Sequence, residues 1–231
     1  MRSSRFRIRT IYHVLLAAYG PQGWWPGNHP FETVVGAILT QNTAWRNVEL
    51  ALVGLRTRGA LAGPESLGRL APDELERLIR PAGFRRRKAG TLRALLSRVS
   101  REPGGLSGLL SRGEADLRRA LLEIRGIGPE TADSILLYAA GRPLFVADAY
   151  ARRIAGRHGL ADAGAPYGDV QRLFQSALPR SARVMNEYHA LIVRLGKTRC
   201  RPTPACAGCP LAWDLTMKSM GGSPGRVLPS S

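Results

Sequence analysis

Apolar positions recur every three or four residues along most of the chain, which is the period of an α-helix. The first such segment places Ile8, Ile11, Tyr12, Leu15, Leu16 and Tyr19 on one face of an amphipathic helix. The apolar–polar alternation of a half-buried strand is absent, and the few β-branched residues lie inside helical patterns. The pattern therefore predicts an all-α protein without internal repeats.

Proline, acidic residues and glycine suggest where the helices begin and end. The predicted helices after the first are Pro30–Asn42, Ala44–Arg58, a short one from Pro72 that stops before Pro81, Phe84–Arg101, and about 114–125, 129–140, 149–159, 167–178 and 181–196. The stretch EPGGLSGLLSRG, residues 102–113, is predicted to be a surface loop because it is rich in glycine and serine. The tail after about Met217 is predicted to be disordered.

The main feature that the composition adds to this prediction is a large positive net charge. Of the 231 residues, 44% are hydrophobic, which is enough to form a hydrophobic core. The chain contains 34 Lys and Arg but only 17 Asp and Glu, so its formal net charge is +17. Such an excess favours a polyanionic partner, above all nucleic acid, although solubility alone is the alternative. No apolar run approaches the roughly 20 residues that span a bilayer. The basic N-terminus superficially resembles a signal peptide, but its helical spacing and lack of a small-residue cleavage site favour a helix of the mature protein.

The stretch LLEIRGIGPETA joins two helical patterns through Gly126-Ile127-Gly128. Both glycines can adopt left-handed or close-approach conformations, and Pro129 suits the first turn of the following helix. The resulting hairpin presents backbone N–H groups at a positive helix end, which is a site for a phosphate of a nucleic-acid backbone. Taken alone, the motif could equally be a simple helix cap and turn.

Asp148 follows Gly128 by twenty residues, at the start of another predicted helix and behind an apolar stretch. The hairpin, the spaced aspartate and three cysteines near the C-terminus together resemble the helix-hairpin-helix DNA glycosylases of the endonuclease III superfamily, over residues 22 to 209. The resemblance implies a six-helix barrel with the hairpin in residues 30–142. It implies a second helical lobe from residues 1–29 and 143–217, a disordered tail at 218–231, and DNA in the cleft between the lobes.

By this resemblance Asp148 is the catalytic carboxylate, which stabilises positive charge on the deoxyribose and orients or deprotonates the attacking water. The alternative is that Asp148 only caps its helix. Relatives that also cleave the DNA backbone carry a lysine immediately before Thr-Ala, where this chain has Glu130. A carboxylate cannot form a Schiff base, so Glu130 indicates a glycosylase without lyase activity. Lys88 and Lys197 are the nearest alternative amines.

The resemblance also implies a set of DNA contacts. The predicted DNA-binding residues are Gly126, Ile127, Gly128, Thr131, Gln41, Arg86 and Lys88. Gln41 matches the position where the family inserts a polar side chain into the duplex after a nucleotide is flipped out, or it caps the helix end with Asn42. The run that contains Arg86 and Lys88 either grips phosphates or is a solvated helix face.

Tryptophans near the expected pocket favour one kind of substrate. Trp24, Trp25 and Trp45 stand out because only 6% of the chain is aromatic. The stretch around them resembles the endonuclease III-like 3-methyladenine DNA glycosylases, in which aromatic rings sandwich a flipped, alkylated purine. Its positive charge would add a cation–π contribution to stacking. The predicted pocket comprises these tryptophans and Glu130, and core packing is the alternative for any one of the rings.

Cys200, Cys206 and Cys209 are separated by gaps of five and two residues. Their number is odd and does not form a disulfide framework, which favours a reducing cytosol. Many relatives bind a [4Fe–4S] cluster here through four cysteines, but the fourth position is Leu215 in this chain. The adjacent Asp214, a water or an exogenous ligand could complete the cluster. The alternatives are zinc held by the three thiols with Asp214 or a histidine, and three thiols without metal.

Three functions stay open at this point. The first is a monofunctional DNA glycosylase for alkylated purines such as 3-methyladenine. The second is a bifunctional endonuclease III-type glycosylase and lyase acting on oxidised pyrimidines, and the third is a non-catalytic protein that binds lesions or abasic sites. In each case the expected partner is double-stranded DNA with damaged bases, bound by a cytoplasmic, nucleoid-associated monomer without membrane contact.

Overall fold

Every regular element of the described chain is helical, which confirms the predicted all-α fold. The structure, a computed structural model, describes residues 2–24 and 29–215. The α-helices are α1 Arg2–Tyr19, α2 Pro30–Leu39, α3 Trp45–Thr57, α4 Pro64–Gly68, α5 Pro72–Leu78, α6 Arg85–Ser100, α7 Gly105–Ser111, α8 Glu114–Leu122, α9 Pro129–Tyr138, α10 Ala149–Arg157, α11 Tyr167–Ala177 and α12 Ala182–Thr198, with a 3₁₀ turn at Arg80–Ala82. Trp25 and the tail predicted at 218–231 lie outside the described residues.

The chain divides into two compact units, and the unit formed by Trp25–Arg142 carries α2 to α9. Its centre is α2, in which every residue from Phe31 to Leu39 is buried. This helix packs against α3, α6 and α9. A mostly apolar helix that is buried on all sides is stable only when neighbours surround it, so α2 fixes the position of the elements that follow.

The other unit consists of Met1–Trp24 and Pro143–Ser231. Helix α1 buries Ile8, Ile11 and Leu15, as its helical spacing predicts, and packs against α11 and α12. Phe145 and Phe174 stack with ring centroids 4.4 Å apart and form the aromatic centre of this unit. Among the described residues, none of the helices has both the length and the apolar character needed to cross a bilayer.

The prediction of a surface loop at 102–113 is wrong, because Gly105–Ser111 forms α7. Glu102, which is 9% exposed, pairs with Arg98 and with Arg112, so the segment is fastened at both ends. Hydrogen bonds from Arg98 and Arg112 lower the pKa of the Glu102 carboxyl. A Cβ on Gly108 would lie 1.8 Å from the Pro103 carbonyl oxygen, so this glycine permits a close turn rather than flexibility.

Two smaller differences concern helix ends. Helix α2 stops at Leu39 rather than at the predicted Asn42, and Asn42 adopts a left-handed conformation with φ 51°. The short helix α4 was not predicted, although Pro64 and Glu65 occupy its first turn, where proline and an acidic residue are both favourable. Neither difference changes the helical class of the fold.

Candidate functional site

The bend of the hairpin depends on Gly126. Helix α8 ends at Leu122, α9 begins at Pro129, and between them Gly126 has φ +93°, a conformation that favours glycine. A Cβ at Gly126 would lie 2.1 Å from the Thr91 Oγ1 atom of α6. The hairpin therefore lies directly against α6, and this close approach leaves no room for a side chain.

The other two residues of the Gly-Ile-Gly motif behave differently. Gly128 is extended and exposed, with φ −97° and ψ 179°, and caps the N-terminus of α9, so only one of the two glycines is left-handed. Ile127 is 5% exposed, and its N–H donates to the Ile124 carbonyl at 3.0 Å. The predicted DNA contact through Ile127 is corrected, because its amide is already bonded. Glu130 is exposed in the first turn of α9.

Gln41 is bonded to the hairpin. Its Nε2 donates to the Gly126 carbonyl at 2.9 Å and to Thr131 Oγ1 at 3.0 Å. Thr131 is 7% exposed, so its side chain holds the hairpin together, while its predicted DNA contact stays a prediction. Insertion of Gln41 into a duplex would require it to give up both hydrogen bonds.

The basic run at the start of α6 contains residues with opposite environments. The Arg86 side chain is 86% exposed, as a phosphate contact requires, and lies 3.9 Å from Glu76 Oε2. Lys88 is only 1% exposed and donates through Nζ to the carbonyl oxygens of Leu39 and Ala82 at 2.8 and 2.7 Å. Burial lowers the pKa of Lys88 to about 8. The prediction that Lys88 contacts a phosphate is wrong, because its ammonium instead donates to the carbonyl of Leu39, the last residue of α2.

Phe84 is a residue that sequence reasoning missed. It is 64% exposed and adopts a left-handed conformation with φ 44°, immediately before Arg85. Non-glycine residues in this conformation are strained, and such strain concentrates at functional sites. The signal in the sequence is an aromatic residue between Gly83 and a basic run, which helix periodicity alone assigns to an ordinary helix start.

Asp148 forms the N-cap of α10. Its Oδ1 accepts a hydrogen bond from the Ala151 N–H at 2.8 Å, so the capping role is real. Its Oδ2 lies 3.5 Å from Nε2 of His189 on α12, and the Asp148 side chain is 14% exposed. The aspartate is thus a nearly buried carboxylate at a positive helix end, with one oxygen engaged by the cap.

The described tryptophans occupy different surroundings. The Trp24 ring is half-buried, with the Lys197 ammonium 5.7 Å from its centroid, so one cation already lies near this ring. Trp45 is half-buried at the start of α3, and its Nε1 donates to Glu49 Oε1 at 2.7 Å. Their predicted role in a base pocket stays a prediction.

The three cysteines line one cavity of about 250 Å³, together with Leu215 and the side chains of Arg157 and Arg199. Arg157 donates to Cys200 Sγ at 3.3 Å. Burial raises the pKa of the Cys209 thiol, and the two neighbouring thiols raise it further. Within the part of the chain that the structure describes, no group of three or more His, Cys, Asp or Glu side chains is arranged to hold a metal ion.

The loop that carries the cysteines is fastened to α10. Arg153 donates to the Cys200 carbonyl at 2.8 Å, and Arg157 donates to the carbonyls of Arg201 and Pro202 at 2.5 and 2.6 Å. Because guanidinium groups donate several hydrogen bonds in fixed directions, these contacts hold the loop in one position on the helix.

Asp214 is fully buried and belongs to a separate network. Arg7 donates to both of its oxygens at 2.9 and 2.8 Å, and His158 Nδ1 lies 2.8 Å from Oδ2. Leu215, rather than Asp214, lines the cysteine cavity. The structure therefore speaks against Asp214 as a ligand of a cluster, because both carboxylate oxygens are engaged elsewhere.

A helical hairpin bent at a left-handed glycine, with an aspartate capping a later helix, defines a class of helical DNA-repair proteins. The chain belongs to the HhH-GPD superfamily of base excision DNA repair proteins, whose family model matches residues 35–180. A protein of Methanocaldococcus jannaschii that carries the name DNA repair glycosylase is 42% identical over 214 residues, covering 91% of this chain and 97% of the relative. The chain is therefore a base excision DNA repair glycosylase.

Other relatives and solved structures carry the names of different DNA repair enzymes. Endonuclease III of Thermotoga maritima is 27% identical over 190 residues, covering 80% of this chain and 83% of that protein. The crystal structure of 3-methyladenine DNA glycosylase from H. pylori, bound to 1,N6-ethenoadenine, matches with a TM-score of 0.73 and 25% identity, covering 84% of this chain and 97% of the other. An endonuclease III–DNA complex shares the fold, with a TM-score of 0.78 at 21% identity over 94% of this chain and 98% of the other.

Proposed function

We propose that the chain is a monofunctional DNA glycosylase that hydrolyses the N-glycosidic bond of an alkylated purine, with Asp148 as its catalytic carboxylate. The observation that carries the proposal is the environment of Asp148, which is nearly buried and held at the N-terminus of α10. A carboxylate fixed in this way stabilises developing positive charge without having to reorganise.

The reaction requires one bond to break and one to form. The bond between C1′ of the deoxyribose and the base nitrogen breaks, and its electron pair leaves with the base. Asp148 stabilises the cationic sugar and accepts the proton of the water that attacks C1′. The products are a free base and an abasic site, and no covalent enzyme intermediate forms.

The residue before Thr131 supports a reaction without lyase activity. By the family resemblance, Glu130 takes the place of the lysine of lyase-active relatives, and a carboxylate cannot form an imine with the sugar. The alternative amine Lys88 is buried and donates to two main-chain carbonyls, so it cannot reach a sugar without leaving the core.

An alkylated purine suits this site because its positive charge weakens the glycosidic bond, so that base release needs little acid assistance. Trp45 offers a half-buried ring for stacking on such a cationic base. The similarity to the 3-methyladenine DNA glycosylase from H. pylori supports the same substrate class.

For DNA binding we propose that the exposed Gly128 end of α9 and Arg86 contact phosphates of the duplex. Phe84 and Gln41 are the side chains suited to fill the space left by a flipped nucleotide. Phe84 is aromatic and exposed, and Gln41 can exchange its hydrogen bonds to the hairpin for bonds to bases.

The similarity to endonuclease III of Thermotoga maritima favours one second candidate, a glycosylase and lyase for oxidised pyrimidines. A panel of duplexes with single lesions, each analysed with and without alkali, distinguishes the two. We expect free 3-methyladenine from methylated duplex, strand cleavage only after alkali, and no enzyme–DNA adduct with borohydride. An adduct together with release of an oxidised pyrimidine would establish the second candidate instead.

We also propose that Cys200, Cys206 and Cys209 hold a [4Fe–4S] cluster, which would serve to stabilise their loop. The chemistry of the donors supports the proposal, although the thiols are not in ligand geometry: three thiols line one cavity with two guanidinium groups that suit an anionic, thiolate-bound group. Iron and acid-labile sulfide in equal amounts are expected in anaerobically purified protein, and Leu215→Cys is expected to increase cluster retention by adding a fourth thiolate. Protein that is free of iron, or that contains zinc, contradicts the proposal.

A further inference from the structure

We propose that His189 is a positioning residue that fixes the orientation of the Asp148 carboxylate for base release, an inference that rests on the proposed function. Nε2 of His189 lies 3.5 Å from Oδ2 of Asp148, and the two side chains are 8% and 14% exposed. Nearly buried polar groups this close interact strongly, because little water screens them.

The two oxygens of Asp148 have separate tasks. Oδ1 accepts the Ala151 N–H at 2.8 Å and thereby fixes one end of the carboxylate to α10. A single hydrogen bond leaves the carboxylate able to turn about the bond to its Cβ atom. His189 lies on the Oδ2 side, so the carboxylate is held from two directions and its plane is defined.

The imidazole is itself held by aromatic packing. The Phe145 ring meets it edge to face, with centroids 6.1 Å apart and an interplanar angle of 81°. Phe145 in turn stacks on Phe174 at the centre of this unit. Since the core fixes the ring, the position of Nε2 is set independently of Asp148, as a positioning role requires.

The 3.5 Å separation is that of a close contact rather than of a formed hydrogen bond. It exceeds the roughly 2.7–3.2 Å of a good N–H···O hydrogen bond, and catalytic hydrogen bonds are often long before the substrate is in place. A proton on Nε2 would be donated to Oδ2 once the two atoms approach hydrogen-bonding distance. Asp148 then presents a fixed edge to the sugar.

The test compares His189→Leu with His189→Gln. The glutamine places an amide N–H close to the position of Nε2, whereas leucine retains bulk without a donor. We expect the leucine variant to lower the single-turnover rate of base release about 10- to 100-fold, the scale of a misplaced catalytic group. Its Kd for duplex carrying an abasic-site analogue should stay at the wild-type value, and the glutamine variant should recover most of the rate.

Three results would overturn the inference. They are a wild-type rate for the leucine variant, an equal loss in both variants, which indicates packing alone, and a parallel loss of rate and DNA affinity. His13→Leu, at an exposed histidine of the same unit, is the matched control and is expected to keep the wild-type rate.

A second measurement does not depend on activity. Thermal unfolding midpoints of wild type, Asp148→Asn, His189→Leu and the double variant form a double-mutant cycle, and effects that do not add demonstrate the contact. Additive effects would contradict it. If the effects are coupled but the wild-type protein releases no base from any lesion, the proposed function fails while the contact between the two side chains stands.

Discussion

Asp148→Asn is expected to slow base release by orders of magnitude and to leave the fold intact. Asparagine caps a helix about as well as aspartate, so the bond from the Ala151 N–H survives. The amide carries no charge to stabilise the sugar cation and cannot accept a proton from water. A loss of about 10²- to 10⁴-fold in single-turnover rate is expected from removing such a group, measured on duplex with one 3-methyladenine.

Asp148→Ala is the comparison variant, because it removes both the charge and the cap. Its unfolding free energy should fall by about 1 kcal/mol relative to Asp148→Asn, while both variants release base slowly. Unchanged base release by the asparagine variant would show that Asp148 is only a helix cap. The proposed chemistry would then have to be abandoned.

Gly126→Ala is expected to produce the largest loss of stability of any single methyl addition in the hairpin. The new Cβ would lie 2.1 Å from Thr91 Oγ1, and the residue would have to retain φ +93°. Steric overlap and backbone strain together should cost roughly 2–5 kcal/mol of unfolding free energy. Denaturant unfolding measures this cost, and the affinity for undamaged duplex should fall with it because the hairpin is displaced.

Gly128→Ala is the matched control, two residues further along. Gly128 is extended and a Cβ there would find nothing within 4 Å, so the free energy of unfolding should hardly change. Combining Gly126→Ala with Thr91→Ala removes the overlap but not the strained φ, so the double variant should regain only part of the stability. Equal stability of the two alanine variants would refute this account of the bend.

Local signals predicted most of the helices, and contacts between distant segments explain what they missed. The period of α1 and the proline at the start of α9 are visible within a few residues, so both helices were predicted. Residues 102–113 were assigned to a loop because their glycines look flexible. The pairing of Glu102 with Arg98 and Arg112, which orders the segment, appears only once the chain is folded.

In the candidate site too, some residues could be selected from the sequence and others only from the folded structure. Asp148 and Gly126 could be selected because a family pattern places them in the sequence. Lys88 was assigned to DNA because it follows three arginines, and only the three-dimensional structure shows its ammonium inside the protein, at the end of α2. His189 carries no local signal, because its partner lies on another helix.

Helix α10 carries the Asp148 cap at one end and, toward the other, the Arg153 and Arg157 contacts to the cysteine loop. Nine residues make a rod about 13 Å long, too short to bend appreciably. A shift of the cysteine loop is therefore transmitted along α10 to the Asp148 carboxylate. Oxidation of the cysteine thiols, by moving their loop, would disturb the position of the Asp148 carboxylate at the other end of this helix.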